Sequence, residues 1–271
     1  MATSVPAPSG TTGSVLLSAR GLRLAYDERI VAEDLSIEIP DGGFTVIVGP
    51  NASGKSTLLK ALARTLKPQA GRVLLDGAPI DSYPSKAVAR KLAMLPQTPI
   101  APEAITVRDL VGRGRYPHQR MLRQWSPADQ RAVSSAIAAT GSDDIAERYM
   151  SELSGGQRQR AWIAMVLAQE TELLLLDEPT TFLDIAHQYD VLDLCARLHV
   201  EGRTLVAVLH DLNQAARYAT NLVVMKQGEI VAQGDPNDIL TGDLVQRVFG
   251  LSSVIITDPE SGTPMVIPRM R

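Results

Sequence analysis

The 271-residue chain has a single cysteine, Cys195, so no internal disulfide is available, which agrees with a reducing compartment. Set in the helical-looking stretch QYDVLDLCARL, it reads as a small buried apolar residue. Long apolar runs are also missing. Stretches such as IAMVLA and LLLL fall far short of the roughly 18 to 20 residues that a membrane-spanning helix needs, so a membrane role must be borrowed from a partner chain. Nor is there a surplus of positive charge: a formal net charge of -3 and a pI near 5.8 argue against broad nucleic-acid binding through a basic surface. The opening MATSVPAPSGTTGS has no basic residue and no apolar segment of signal-peptide length, and residues 1–14 are expected to be a disordered leader. The sequence shows no internal repeat.

With 45% hydrophobic residues the chain can bury one large core, or one core and a smaller appended subdomain. Residues 15–40 read as short strands with turn residues between them, and GRVLLDG at 71–77 adds another, which predicts a small antiparallel sheet. Three continuous β-rich apolar runs follow, FTVIV (44–48), LLLL (173–176) and TLVAVL (204–209). Runs apolar on both faces suit central strands of a parallel sheet covered by helices on each side. From about 98 to 170 the pattern turns helical, with Pro127 just inside one helix start and Ser154 before another, as expected of a helical subdomain inserted into an α/β core. Residues 222–234 read as a hairpin turning at Gln227 and Gly228. Residues 251–271 are expected to form a C-terminal β-hairpin extension, for which the sequence offers no role beyond packing against the sheet.

Each of the three apolar runs ends in polar or glycine residues: Gly49, then Asp177 and Glu178, then His210 and Asp211. In an open α/β sheet the carboxyl ends of the strands form the ligand crevice, so all three point at one site. The first run leads into GPNASGKST, residues 49–57, which fits G-x-x-x-x-G-K-[ST] at Gly49, Gly54, Lys55 and Ser56 and opens a helix. Such a loop, here Gly49, Pro50, Asn51, Ala52, Ser53 and Gly54, aims successive backbone N–H groups at phosphates; Lys55 adds a fixed charge, and the Ser56 hydroxyl beside Thr57 suits Mg²⁺. In LLLLDEPT, Asp177 is placed to hold Mg²⁺ through water and Glu178 to polarise an attacking water as general base. His210 has the reach for a terminal phosphate and the water beside it. Ala52 cannot easily adopt φ > 0, so its position is expected to have an ordinary backbone.

A second anion site is then hard to explain. LSGGQRQR (153–160) puts two glycines before a run of helix formers, with Ser154 as N-cap and the positive end of the helix dipole behind it. Since the phosphate loop already holds one side of a nucleotide, this helix start either binds another anion or closes over the same nucleotide from elsewhere. A two-fold dimer answers both: Ser154, Gly155, Gly156 and Gln157 of one copy cap the nucleotide held by Gly49 to Thr57 of the other.

Together these residues resemble the ATP-binding-cassette ATPases over about 15–250, an α/β P-loop NTPase core with an antiparallel β subdomain and an inserted helical subdomain. LSGGQ from Leu153 is similar to the family's signature, GPNASGKS to its Walker A, LLLLDE to its Walker B with Glu178 catalytic, FLD (182–184) to its D-loop with Asp184, and His210 to its switch histidine. The resemblance further implies that Gln97 joins Ser56 in the Mg²⁺ shell, that Tyr26 stacks on adenine, and that ATP closes a head-to-tail homodimer. Within the family, DEPTTFLDIAHQYDVLDL, LHDLNQAARYA, GRGRYPHQ and DPESGTPMVIP resemble the ATPases of ferric-siderophore importers, especially the ferric-enterobactin type, with cobalamin and haem importers sharing parts of the pattern and an exporter or a soluble non-transport cassette ATPase as the remaining alternatives. This implies a peripheral subunit at the cytoplasmic face of the membrane, two inner-membrane permease subunits and, indirectly, an extracytoplasmic siderophore-binding protein. The segment from Arg108 to Arg123, with Arg113, Arg115 and Arg120 between, is either a solvated face or a docking surface, and residues 98–120 are expected to receive a permease loop.

Overall fold

The computed structural model describes residues 15–102, 104–119, 125–181 and 183–270; the expected leader 1–14, with Arg120, Arg123 and Phe182, lies outside the described residues. The chain begins with β1 (Val15–Tyr26), β2 (Arg29–Pro40), β3 (Phe44–Val48), α1 (Lys55–Leu62), β4 (Ala70–Leu75), β5 (Ala78–Pro79), α2 (Ser85–Lys91) and β6 (Leu92–Leu95). Three helices follow, α3 (Val107–Arg113), α4 (Pro127–Ala139) and α5 (Gly155–Ala168), and then β7 (Leu173–Asp177), α6 (Ile185–Val200), β8 (Thr204–Val208) and α7 (Leu212–Tyr218). The chain closes with β9 (Asn221–Lys226), β10 (Glu229–Gly234), α8 (Pro236–Ile239), α9 (Gly242–Phe249), β11 (Ser253–Thr257) and β12 (Pro264–Pro268).

The expected antiparallel sheet is present in the order β2-β1-β4-β5, but its first two strands are long, 12 residues each, and not a series of short ones. Backbone irregularities in the β1–β2 register replace the turns read from the sequence. The second sheet has the order β10-β9-β3-β8-β7-β6, parallel except for β10. Its central strands β3, β8 and β7 are the three apolar runs, and the register explains why they carry no polar face. Phe44, Val46, Val48, Leu174, Leu176, Leu205 and Ala207 enter one core, while Ile47, Leu173, Leu175, Val206 and Val208 enter another. The second core is closed by the antiparallel sheet and α1, through Leu17, Leu24, Ile39, Leu58 and Leu62. Alternate residues thus face two dry layers, the arrangement that a strand buried on both sides requires.

The helical insert starts each helix on a side-chain cap. Thr106 accepts from Asp109 N before α3, and Ser126 and Asp129 form a reciprocal capping box at α4 with Pro127 at its first position. Among the described residues no helix is long and apolar enough to cross a membrane. The C-terminal hairpin β11–β12 lies chiefly on α9 and α7, not on the sheet as expected. Its β12 is held by the Asn213 side chain, whose Oδ1 accepts from Val266 N at 2.7 Å and whose Nδ2 donates to Val266 O at 3.3 Å.

Arg115 is buried, with 4% of its surface exposed, and this removes it from the docking surface that the arginine-rich segment was expected to form. Its Nε donates to Asp129 Oδ1 at 2.8 Å, and its Nη1 to the Ala168 carbonyl at 2.7 Å and Glu170 Oε2 at 2.6 Å, so it ties α4 to the C-terminal end of α5. Burial pushes the Asp129 carboxyl up, but hydrogen bonds from Ser126 and Arg115 outweigh it and bring the group from 3.8 down to about 2. A carboxylate depressed on folding stabilises the native state above its unfolded pKa, and this contribution is lost as pH falls from about 4 to about 2. Asp129→Asn is expected to flatten that part of the acid denaturation curve. Arg115→Met leaves a buried carboxylate unpaired and should lower stability by about 3–5 kcal/mol in urea unfolding; a loss below about 1 kcal/mol would contradict this reading of the pair.

Candidate functional site

The phosphate loop turns where it does because β3 runs out of room for side chains. A Cβ on Gly49 would sit 2.2 Å from the Met225 carbonyl oxygen of β9, so the backbone must leave the strand at a glycine. Gly54, at φ 99, opens α1. Ala52 has φ 61, which overturns the expectation of an ordinary backbone there: the loop holds an alanine in the left-handed region. Part of that constraint comes from the β9–β10 turn, where Gln227 and Gly228 have φ 51 and 84, the pattern of a type I′ turn. Gly228 N donates to Ser53 O at 3.0 Å, and a Cβ on Gly228 would meet the Val31 carbonyl oxygen at 2.1 Å. The turn is wedged between the loop and β2, so its glycine is fixed by space as well as by φ.

Lys55 folds back under the loop, donating to the carbonyls of Gly49 and Pro50 at 2.8 and 3.0 Å. Burial lowers its pKa, opposed by the charges of Glu178 and Asp177. At the end of β7, Asp177 accepts from the Ser56 hydroxyl at 2.8 Å through Oδ1, and its Oδ2 is buried with no hydrogen-bond partner. Burial raises the Asp177 pKa, against the hydrogen bond from Ser56. An orphaned carboxylate oxygen beside a serine hydroxyl, with the amide of Gln97 nearby in the same cleft, is a set of hard oxygen donors that fits Mg²⁺. Among the described residues no group of three or more His, Cys, Asp and Glu side chains could hold a metal ion.

Glu178 is the meeting point of the cleft. Its Oε1 lies 2.7 Å from His210 Nε2, and its Oε2 accepts from Gln97 Nε2 at 2.7 Å and Thr181 Oγ1 at 3.1 Å. Burial pushes its pKa up, but these hydrogen bonds and the His210 charge outweigh burial and leave it below the ordinary glutamate value. An ionised carboxylate only accepts, so His210 Nε2 carries the hydrogen in this contact. The resulting cleft, of about 440 Å³, is lined by Asn51 to Thr57, Gln97, Glu178 and His210.

Most residues expected at the site from the sequence therefore meet here. Tyr26 ends β1 with 44% of its surface exposed and is not among the residues that line the cleft. Nor are Leu153 to Gln157. Leu153 is buried, and Ser154 caps α5, accepting from Gln157 N while Gln157 Oε1 accepts from Ser154 N. Gly155 and Gly156 open that helix, outside the cleft of their own chain. Asp184 caps α6, accepting from His187 N at 3.0 Å. Sequence reading missed Thr181, although it stands in the same DEPTT stretch as Glu178, and it missed that the turn at Gly228 supports the loop.

The sequence model of the ABC transporter family matches residues 32–181. The chain is 54% identical over 253 residues to the ferric enterobactin transport ATP-binding protein FepC of Escherichia coli (strain K12), covering 93% of each. It is 52% identical to the probable siderophore transport system ATP-binding protein YusV of Bacillus subtilis (strain 168), over 96% of this chain and 94% of that one. Among solved structures, the dimeric structure of MJ0796, a bacterial ABC transporter cassette, superposes with a TM-score of 0.73 at 26% identity, over 81% of this chain and 98% of the cassette. By sequence, fold and cleft, the chain belongs to the ATP-binding-cassette transporter ATPases.

Proposed function

We propose that the chain is the ATP-hydrolysing subunit of an importer that carries ferric siderophores across the cytoplasmic membrane. The observation that carries this reading is the identity above 50%, over nearly the whole chain, to proteins named for siderophore transport. It favours siderophores over cobalamin, haem or export. The chain would work as a homodimer at the cytoplasmic face of the membrane, beneath two inner-membrane permease subunits served by an extracytoplasmic siderophore-binding protein, and it would take no nucleic acid.

In this mechanism the loop amides from Asn51 to Thr57 cradle the phosphates of ATP, and Lys55 turns its ammonium from the loop carbonyls to the terminal phosphates. Ser56 and Gln97 would hold Mg²⁺ directly and Asp177 through water. The bound ion neutralises charge on the phosphoryl oxygens. Glu178, ionised and aimed into the cleft, accepts a proton from the attacking water as the water oxygen bonds to the γ-phosphorus and the bond to the ADP oxygen breaks. His210 steadies that carboxylate and reaches the terminal phosphate, while Tyr26 stacks on the adenine. Ser154, Gly155, Gly156 and Gln157 of the second copy cap the same nucleotide, with Leu153 anchoring their helix and Asp184 at the joint between the copies. The fit of the chain to a cassette solved as a dimer supports this arrangement.

Permease docking has a groove to use. A cavity of about 690 Å³ in the helical insert is lined by Arg108, Arg113, Tyr116, Gln119 and Trp125, among others. Arg113, Tyr116 and Trp125 are exposed, and Lys86 lies 4.9 Å from the centre of the Tyr116 ring. Exposed aromatics beside Arg113 and Lys86, with Asp109 also in the lining and Arg108 paired to Glu147, suit the end of a membrane-protein loop that offers acidic or carbonyl groups.

Glu178→Gln is expected to keep ATP binding and to slow steady-state phosphate release by roughly 10²- to 10⁴-fold, the worth of a general base; normal turnover would remove Glu178 from that role. Arg113→Glu should reduce co-purification of the chain with its membrane subunits while ATP binding is kept, and an intact complex would move the docking surface elsewhere. In cells lacking this gene, the native chain should restore uptake of radiolabelled iron from at least one of a panel of siderophore complexes, and Glu178→Gln should not. Iron uptake that stays the same across the panel would leave the ATPase intact and the siderophore assignment without support.

A further inference from the structure

The helix that begins with the signature residues also touches the catalytic strand end of its own chain. Gln159, one turn inside α5, donates its Nε2 to the Pro179 carbonyl at 2.8 Å, one residue beyond Glu178. Glu178 itself is strained, with φ 53, and it precedes a proline, which disfavours helical backbone at the residue before it. Such a conformation persists only where its surroundings over-determine it. Within the turn, Thr181 N donates to Glu178 O at 3.2 Å and Thr181 Oγ1 to Glu178 Oε2 at 3.1 Å. Gln159 brings a hydrogen bond to the turn's backbone from a different element. The far end of the same loop is also held against α5: His187, bonded through Nδ1 to Asp184 at 2.7 Å, lies so close to Gly156 that a Cβ there would come within 3.4 Å of its ring. Pro179, just after Glu178, and His187, bonded to Asp184, are thus both held against the first turns of α5.

We infer that Gln159 is a positioning residue that couples the two nucleotide sites. The inference rests on the two-copy reading above. In that dimer, the first turn of α5 seats on the nucleotide held by the partner, while Gln159, a few residues on, fixes the backbone that aims Glu178 at the nucleotide held by its own chain. Seating of one nucleotide then sets the carboxylate that hydrolyses the other. The coupling has physical content because the turn is strained: once the Gln159 bond is released, the backbone at Glu178 relaxes toward an extended conformation and carries the carboxylate away from the water it must polarise. Binding of ATP, which uses the loop amides and Lys55, does not depend on that bond.

The test uses the assembled transporter, with hydrolysis followed against ATP concentration. Gln159→Leu keeps bulk and removes the donor, Gln159→Glu keeps shape and puts an acceptor opposite the carbonyl, and Gln159→Lys restores a donor. The first two should lower kcat by roughly 10- to 100-fold, the order expected for a misplaced catalytic group. They should also bring the Hill coefficient for ATP toward 1, with the Kd for ATP in the Glu178→Gln background held within about twofold. Gln159→Lys should recover most of both kcat and cooperativity. Native kcat and Hill coefficient in Gln159→Leu and Gln159→Glu would overturn the inference, as would loss of ATP affinity in parallel with kcat, since either makes the bond idle or merely structural. If Gln159→Leu fails to assemble, Gln159→Glu and Gln159→Lys carry the same comparison of donor against acceptor. A native Hill coefficient of 1 in a chain that forms no ATP-dependent dimer removes the two-copy reading and this inference with it; a native dimer with unaltered variants removes this inference alone.

Discussion

Donors from separate elements converge on the carboxylate of Glu178: Gln97 from the segment after β6, Thr181 from the turn after β7, and His210 from the end of β8. The architecture is arranged so that they can. Strands β8, β7 and β6 lie side by side and parallel, so their carboxyl ends emerge on one rim, and β3 delivers the phosphate loop to the same rim. A parallel sheet must be covered on both faces, here by helices on one side and by the antiparallel sheet with α1 on the other, not by helices on each side as expected, and this cover produces the two dry layers. A carboxylate so held stays ionised despite partial burial, which is the state a general base needs before it meets water.

Part of the chain's backbone strain lies at this rim. Ala52 in the loop, Glu178 after β7 and Gln227 in the β9–β10 turn have positive φ without being glycine, and Gly49 and Gly228 sit where a Cβ would collide with a carbonyl oxygen. Each conformation is unfavourable alone and is held by a neighbour: the loop by the Gly228 amide, Glu178 by Thr181 and Gln159. The same tightness explains the buried Asp177 oxygen and the Lys55 ammonium parked on loop carbonyls. Of these groups the Asp177 Oδ2 oxygen is left without a hydrogen-bond partner in the chain by itself, while Lys55 is held by two carbonyls.

Much of this was legible in the sequence where one residue type has one physical use. Three apolar runs without alternation meant strands buried on both faces, and the polar residues that end them marked the rim. Ser154 declared a helix start because N-terminal amides need local acceptors, and Pro127 another because proline lacks the amide that a first turn leaves unpaired. What stayed hidden depends on residues distant in the chain. Arg115 looked like its exposed neighbours because its partners, Asp129 and Glu170, are 14 and 55 residues away. The four-residue β6 was too short to declare itself, and the place of β9 beside β3 was not visible from its hairpin pattern. Ala52 was misread because residue preference was weighed without the tertiary contacts that override it.

The account's central claim is that a signature helix start lying outside its own chain's cleft completes the cleft of a second copy. The burial of Cys195 makes a direct test possible, since that thiol gives no background. Asn51→Cys and Ser154→Cys, combined with Glu178→Gln and treated with a short bifunctional maleimide, should yield a cross-linked dimer in the presence of ATP and Mg²⁺ and little without them. A chain that stays monomeric under saturating ATP, or that cross-links only within itself, would contradict the composite site.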